Sequence, residues 1–317
     1  EIMQISGGVQ LSGGVNLAPG GGSGPTPSGG GFQGSNYGYA SGGYTNDRIN
    51  NIQKYSFTSD GNATDVGDLT VVRNGLSGQS SSTNGYTSGG FSNGSTKVDP
   101  IDKFSFANEG NATDVGDMTI AAGWTSGQSS SNHGYISGGN SNAGKINYTD
   151  KFSFASDGDA TAANDLVSII DESAGQSSTD NGYVSGGSGP SRGQIVIQKF
   201  PFANDNNSTD IGDLTRSTEK PAGQSSTDNG YVSGGHGGQN TIDKFPFASD
   251  ADATDVGDLF QAAEGGSGTS STASGYVAGS SPNINTIQKF SFASDQNGTD
   301  VGDLGIGVGY MPAGQQY

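Results

Sequence analysis

The sequence lacks cysteine altogether and has one tryptophan and two histidines among its 317 residues. Without cysteine the chain can form no disulfide and no thiolate nucleophile or metal ligand. The histidines, His133 and His236, stand far apart in unlike sequence contexts. This favours isolated surface histidines over a metal centre, and no Ser-His-Asp arrangement accompanies them.

Basic residues are also few. The chain has 13 Lys and Arg against 31 Asp and Glu, which gives a net charge of −18. A field of that sign repels phosphate backbones, so nucleic acid is a poor partner. The sequence has no apolar run as long as a membrane span and no extended 3.6-residue apolar period. We therefore expect no membrane-spanning segment and almost no helix.

A unit of about 48 residues is repeated six times. Each copy has a Gly-Tyr frame, a Lys-aromatic-x-Phe frame and an acidic turn that closes on Asp-Leu or Asp-Met. The tyrosines of the first frame are Tyr39, Tyr86, Tyr135, Tyr183, Tyr231 and Tyr276. The lysines of the second are Lys54, Lys103, Lys151, Lys199, Lys244 and Lys289. A period of roughly 40–50 residues with strand-like pieces is typical of β-propeller blades.

Each unit predicts four short strands. In one copy the first is Gly-Gln-Ser-Ser at 78–81, the second is 85–90, the third contains 103–106, and the fourth follows the acidic turn. Small residues in strands one and two suit a propeller axis, where blades converge, and the phenylalanines of strand three suit the wider gap further out. The prediction is an all-β, six-bladed propeller over residues 38–317. Its blades lie near 38–84, 85–133, 134–181, 182–229, 230–274 and 275–317.

The repeats resemble kelch repeats, most clearly over residues 69–90, where Arg73 follows Leu69 and a Gly-Gly doublet ends the segment. The resemblance covers residues 38–317 and implies a kelch-like propeller of four-stranded blades. It departs from the family at the tryptophan that usually precedes the leucine. The matching positions hold Val66, Val115, Ala163, Ile211, Val256 and Val301.

The sequences of the units are also similar to those of kelch-like repeat proteins of tailed phages of marine bacteria, cyanophages in particular. The Gly-Asn-Ala-Thr-Asp-Val-Gly-Asp and Gly-Gln-Ser-Ser units carry this likeness. It implies a non-enzymatic virion structural protein without a cofactor, such as a decoration protein or a fibre module on the particle surface. The alternative is a cell-surface or secreted carbohydrate-binding protein, or a carbohydrate-active enzyme, on the same fold.

Residues 1–37 differ from the repeats. Residues 18–31 have the Gly, Pro, Ser and Thr composition of a flexible linker. We expect an arm that anchors the propeller to other virion proteins, and the alternative is a frayed terminus. The arm's apolar residues are Ile2, Met3, Ile5, Val9, Leu11, Val15 and Leu17. At the other end, residues 314–317 restart strand one and are expected to complete the first blade, although residues 31–36 could fill the same place.

The acidic turn is the first candidate site. In one copy its oxygen-bearing side chains are Asp60, Asn62, Asp65 and Asp68, and such oxygens can bind Ca²⁺. The spacing is not that of an EF-hand, because the required Gly and Glu are missing. We expect hydrogen-bonded Asx turns, with Ca²⁺ as the alternative.

The loops joining strand two to three and strand four to the next blade form the second candidate, because they differ between copies while the other turns are nearly uniform. Variation on a rigid scaffold is typical of binding loops, with neutral drift as the alternative. This variable set predicts a contact surface for a protein or a host-surface glycan. Its candidate residues are Tyr44, Arg48, Arg73, Phe91, Lys97, Trp124, Lys145, Arg192, Arg216, Lys220, His236 and Phe260.

Overall fold

The computed structural model describes residues 33–317. Thirty β-strands run through this range, and its only helix is a single 3-10 turn at Asn93–Ser95. The strands form small antiparallel sheets, most of them with four members. The predicted all-β class is therefore confirmed for the described residues. No helix there is long and apolar enough to cross a membrane. The predicted arm, residues 1–37, lies outside them up to residue 32, and this part includes all of its apolar candidates from Ile2 to Leu17. Its last residue, Tyr37, begins the first strand instead.

Six sheets follow one plan, in which the four strands of a unit lie side by side in chain order. The first sheet contains β1 (Tyr37–Ser41), β2 (Asn51–Ser56), β3 (Thr64–Asp68) and β30 (Ala313–Gln316). The second contains β4 (Ser77–Ser80), β5 (Asn84–Ser88), β8 (Pro100–Ser105) and β9 (Thr113–Asp117). The third contains β11 (Ser126–Ser129), β12 (His133–Ser137), β15 (Tyr148–Ser153) and β16 (Thr161–Asp165).

The other three sheets repeat the pattern. The fourth contains β17 (Ala174–Ser177), β18 (Asn181–Ser185), β20 (Arg192–Pro201) and β21 (Thr209–Thr218). The fifth contains β22 (Ala222–Ser225), β23 (Asn229–Gly235), β24 (Gln239–Pro246) and β25 (Thr254–Asp258). The sixth contains β26 (Ser267–Ser270), β27 (Ser274–Ser280), β28 (Ile284–Ser291) and β29 (Thr299–Asp303). Short strands in the loops are β6 (Phe91–Ser92), β7 (Thr96–Lys97), β10 (Ala122–Gly123), β13 (Asn140–Ser141), β14 (Gly144–Lys145) and β19 (Ser188–Gly189).

The last strand of the chain belongs to the first sheet. β30 pairs antiparallel with β1, with Ala313 opposite Ser41 and Gln315 opposite Tyr39. The prediction that the C-terminal segment completes the first unit is confirmed. Gly34 of the competing N-terminal segment lies elsewhere, because it forms a parallel bridge with Ser271, next to the sixth sheet.

The first strand of each sheet's plan is here called its inner strand. Neighbouring inner strands approach one another at their glycines. The inner strands are β4, β11, β17, β22, β26 and β30. A Cβ atom on Gly127 would collide with the carbonyl oxygen of Gly78 on the neighbouring inner strand. The same collision joins Gly175 to Gly127, Gly223 to Gly175, Gly268 to Gly223, Gly314 to Gly268 and Gly78 to Gly314. This close approach explains why the unit requires the small residues of Gly-Gln-Ser-Ser.

The two aromatic frames pack together across neighbouring sheets. Tyr86 stacks on Phe154 of the next sheet, with ring centroids 4.9 Å apart. Gly85 has no side chain, which leaves room for the ring of Phe104 on the adjacent strand. Equivalent stacks are Tyr39–Phe106, Tyr135–Phe202, Tyr183–Phe247, Tyr231–Phe292 and Tyr276–Phe57. The repeated core therefore lies between sheets, and each frame requires the matching frame of its neighbour.

Candidate functional site: the variable side of the sheets

Because neighbouring strands are antiparallel, successive connections lie alternately at the two ends of each sheet. The turns between strands one and two and between strands three and four lie at one end, here called the uniform side. The loops between strands two and three and the crossings to the next sheet lie at the other end, here called the variable side. Sequence variation between the copies is concentrated on the variable side.

On the uniform side, the lysine of strand three pairs with an acidic residue of the next sheet's turn. Lys103 Nζ lies 2.9 Å from Asp157. The other pairs are Lys54–Glu109, Lys151–Asp205, Lys199–Asp250, Lys244–Asp295 and Lys289–Asp60. The lysines thus link neighbouring sheets, a role that the spacing of the repeat did not predict.

The candidate Ca²⁺ ligands of the first copy bond to other parts of the protein. Asp60 pairs with a lysine of the sixth sheet, and the side-chain oxygen of Asn62 accepts a hydrogen bond from the backbone N–H of Asp303 at 3.1 Å. Asp65 accepts one from the N–H of Gly67 at 3.3 Å, as an Asx turn does, and the N–H of Asp68 donates to the neighbouring turn. Within residues 33–317 no three acidic or histidine side chains converge to hold a metal.

The described chain begins on the uniform side. The side chain of Gln33 donates hydrogen bonds to the backbone oxygens of Ser225 at 3.2 Å and Ser271 at 3.1 Å. Both acceptors lie where an inner strand ends and turns toward strand two. Residues 1–32 therefore join the described part of the chain at this end of the inner strands.

Arg73 was predicted to contribute to an exposed binding surface, and this is wrong. Its side chain is 0% exposed and forms an ion pair with Asp102 at 2.8 Å. It also donates hydrogen bonds to the carbonyl oxygens of Gly89 at 2.8 Å and Pro100 at 2.9 Å. Burial lowers the pKa of this guanidinium, whereas Asp102 raises it. All of these contacts are to residues of the second sheet or of its loops, so Arg73 holds the loop that precedes β4 against that sheet. Its side chain is not accessible to a partner.

Arg216 has a related structural role. Its guanidinium donates to the carbonyl oxygens of Gly234 and Thr241, which correspond to the acceptors of Arg73 in the second sheet. Burial lowers its pKa, while the nearby Asp243 raises it. Arg216 therefore holds its segment against the fifth sheet, as Arg73 holds its loop against the second.

Phe91 was also predicted to be exposed, and this too is wrong. It is 6% exposed and packs against Trp124, with ring centroids 4.6 Å apart. Gly123 has no side chain, so the Phe91 ring can lie directly on the backbone there. Trp124 itself is half-buried.

The remaining variable-side cations bond mostly to loops of neighbouring sheets. Lys145 pairs with the buried Asp171, and Lys97 Nζ donates to the carbonyl oxygen of Ser141 at 2.6 Å. Arg48 donates to Ser95 Oγ at 3.1 Å and lies 6.0 Å from the ring centroid of Tyr44. A carboxylate thus compensates the charge of Lys145, whereas these contacts of Lys97 and Arg48 are to uncharged oxygens.

Three predicted residues extend into solvent, and one of them, His236, is 56% exposed. Arg192 is 86% exposed and lies 3.9 Å from Glu219, and Phe260 is 58% exposed. They are available to a partner and belong to different loops.

Lys220 and His236 meet at an acidic group that sequence reasoning missed. Lys220 Nζ lies 3.1 Å from Glu264 and 3.8 Å from Glu172, and His236 Nδ1 lies 3.0 Å from Glu264. Although burial lowers the pKa of Lys220, the two glutamates raise it overall. Burial raises the pKa of Glu172. Glu172, Lys220 and Glu264 share one feature in the sequence, which is their position. Each stands shortly before the start of an inner strand.

No protein-family model matches the chain, and a search of curated proteins gave no match.

Proposed function

We propose that the six sheets are the blades of a six-bladed, kelch-like β-propeller. The support is that each inner strand abuts the next through its glycine, and the series returns from β30 to β4. Hydrogen bonds from inner-strand N–H groups follow the same series, as from Ser80 to Ser129 Oγ at 3.0 Å and from Gln316 to Ser80 Oγ at 3.0 Å. Pairing with β30 covers the edge of β1 that would otherwise be exposed.

We further propose that the protein is a non-enzymatic structural component of a phage virion, a decoration or fibre module. One observation carries the proposal: Gln33 lies on the uniform side, opposite the loops in which the copies differ. A chain that is tethered through residues 1–32 would present its variable side away from the attachment point. That orientation suits contact with a neighbouring protein or a host-surface glycan.

The uniform side supports the same arrangement. Its acidic turns are nearly identical in sequence and are linked by the lysine ion pairs, so it offers the same surface around the molecule. Such a surface suits support rather than selective recognition. The arm's apolar residues would make the contact with other virion proteins.

Mass spectrometry of purified phage particles whose genome encodes this chain tests the proposal. We expect the chain in the particles, and we expect deletion of residues 1–30 to leave a folded protein that no longer joins them. The exposed Val167, replaced by alanine, is the matched control and should leave incorporation unchanged. Particles that contain no copy of the intact chain would contradict the virion assignment.

A further inference from the structure

A cavity of about 100 Å³ lies between the inner strands and has lining residues from all six sheets. On the variable side, one residue of each repeat precedes the inner strand at the mouth of this cavity. These mouth residues are Gly75, Trp124, Glu172, Lys220, Gly265 and Met311. Their backbones are joined in a series by N–H to carbonyl hydrogen bonds, from Trp124 to Gly75, Glu172 to Trp124, Lys220 to Glu172, Gly265 to Lys220, Met311 to Gly265 and Gly75 to Met311.

All six mouth residues have left-handed backbone conformations. Their φ values lie between 55° and 67°, a region that favours glycine. Only two are glycine, and Trp124, Glu172, Lys220 and Met311 adopt the conformation despite their side chains. Strained residues that persist in a repeated structure indicate that their side chains serve a purpose there. The scaffold would accept glycine in every copy, yet the copies differ.

The mouth has an aromatic half. The Trp124 ring lies over Gly75, which has no side chain to obstruct it. Tyr310, next to Met311, is 40% exposed and meets Tyr44 edge to face, with centroids 5.5 Å apart. These rings present an apolar platform beside the cavity.

The other half of the mouth is charged, with two glutamates around one lysine. Lys220 Nζ lies 5.7 Å from the Tyr310 ring centroid and is flanked by Glu172 and Glu264. His236 approaches Glu264 from the next loop. Carboxylates next to an aromatic ring can accept hydrogen bonds from hydroxyl groups of a ligand that stacks on the ring.

A buried hydroxyl group lines the cavity behind this mouth. Thr125 is 1% exposed, and its Oγ1 has no hydrogen-bond partner among residues 33–317. Buried polar atoms are nearly always paired, so an unpaired hydroxyl at a cavity wall points to a ligand or a solvent molecule as its partner.

We propose that the mouth binds the terminal ring of a neutral glycan. The sugar's C–H face would stack on Tyr310, its hydroxyls would donate to Glu172 and Glu264, and a substituent would enter the cavity toward Thr125. The two glutamates around the single Lys220 and the net charge of −18 disfavour an acidic sugar. The inference rests on the proposed function, since it assigns a ligand class to the side that the propeller would present outward.

The experiment is a glycan array carrying neutral and sialylated oligosaccharides, probed with the purified full-length chain. We expect binding to neutral members, and about tenfold weaker binding or more for Tyr310→Ala. Val167→Ala, an exposed apolar residue of the same side outside the mouth, is the matched control and should bind like the parent chain. Glu264→Gln, nearly identical in shape, should also weaken binding and serves as the second variant if Tyr310→Ala does not fold.

Two results would overturn the inference. One is an absence of neutral glycan binding by the intact chain, including a chain that binds only sialylated members or only protein. The other is binding that folded Tyr310→Ala and Glu264→Gln retain in full, which would place the glycan elsewhere. Neither result bears on the virion assignment, which depends on finding the chain in particles.

Discussion

The two sides of the sheets differ in how their residues are constrained. On the uniform side one contact is made six times, as when Lys103 pairs with Asp157 and the N–H of Asp117 donates to the side chain of Asp159. On the variable side each loop makes its own contacts, such as the Lys145–Asp171 pair or the Phe91–Trp124 packing. The repeated residues of this chain contact other repeated residues of the next sheet.

The comparison also shows that variation is not the same as exposure. Arg73 and Phe91 occur in variable loops, and both are buried. Copies can differ because a buried residue such as Arg73 makes contacts that are particular to its sheet. Only the variable residues that stay exposed are available for recognition. Stability measurements can therefore separate the two kinds of variable residue.

The largest effect is expected at Arg73. Replacing it with methionine leaves Asp102 as a buried carboxylate without its partner, which costs about 3–5 kcal/mol of unfolding free energy. Arg192→Met is the control, and because that side chain is exposed it should change stability by less than about 0.5 kcal/mol. Urea unfolding measures both. Equal effects of the two substitutions would remove the distinction between buried and exposed variable residues.

A second comparison sets an inner strand against a variable loop. Gly127→Ala pushes a methyl group into the backbone of Gly78, and we expect destabilisation of up to about 3 kcal/mol. Gly305→Ala meets Gln53 Oε1 at 3.4 Å and the carbonyl oxygen of Ala63 at 3.9 Å, both ordinary contacts, and should be nearly neutral. A melting curve for Gly127→Ala that matches the parent would show that neighbouring inner strands do not touch.

Two residues inside the repeated core depart from the pattern of the other copies. Most inner strands carry glutamine, whose amide reaches the next sheet, as from Gln79 to the carbonyl oxygen of Tyr135 at 3.1 Å. The sixth sheet has Thr269 instead, and its Oγ1 lies 2.7 Å from the hydroxyl of Tyr55, where other copies have phenylalanine. The two exceptions thus compensate each other.

Tyr55→Phe should cost about 1–2 kcal/mol, because a buried hydroxyl loses its partner. Adding Thr269→Gln restores the common pair of residues, so the double variant should recover most of the loss. The coupling energy from a double-mutant cycle in urea measures this. Additive effects of the two substitutions would contradict the compensation.

The smallest effect concerns Asp150, which occupies the position of Asp102 without an arginine partner. Burial raises the pKa of Asp150 even though Thr119 hydrogen bonds lower it. A raised folded-state pKa means that the group's contribution to stability is fully present below the unfolded value of about 3.9 and is lost as the pH rises through the folded pKa. Asp150→Asn should therefore raise the melting temperature by a few degrees at neutral pH, and the gain should disappear near pH 3.

Asp102→Asn is the matched control in the second sheet. It leaves Arg73 buried without its anion, so at neutral pH it should lower the melting temperature. If both asparagine variants shift stability in the same direction at neutral pH, the arginine does not distinguish the two sheets.

Much of the fold could be predicted from the sequence because six copies define the same strands and turns. The return of residues 314–317 to the first sheet followed from the missing first strand of that unit. Burial of Arg73 was not predicted, since its partner lies in the next unit. A partial signal existed: Asp102 and Asp243, in the two sheets that Arg73 and Arg216 contact, precede the strand-three lysine where copies one, four and six have glutamine. Asp150 has the same position without an arginine partner, so the aspartate alone does not predict the arginine contact.

The mouth residues could not be predicted in the same way. Glu172, Lys220 and Trp124 share no residue type, and their common feature is a left-handed backbone that only the folded chain reveals. Tyr310 lies in the irregular last crossing, where the repeat pattern gives no alignment. Sequence comparison of the copies pointed to the variable side and missed the residues at its mouth.

The central claim is that the chain closes on itself through β30. The chain has no cysteine, so a Ser41→Cys, Ala313→Cys double variant provides a clean test. Directly opposed residues of antiparallel strands have Cα atoms about 4.5–5.5 Å apart, within reach of a disulfide. Mass spectrometry after mild oxidation of the folded protein should find this disulfide, and should find none when Ala313→Cys is combined with Ser137→Cys of the third sheet. A folded Ser41→Cys, Ala313→Cys variant that stays fully reduced would contradict closure.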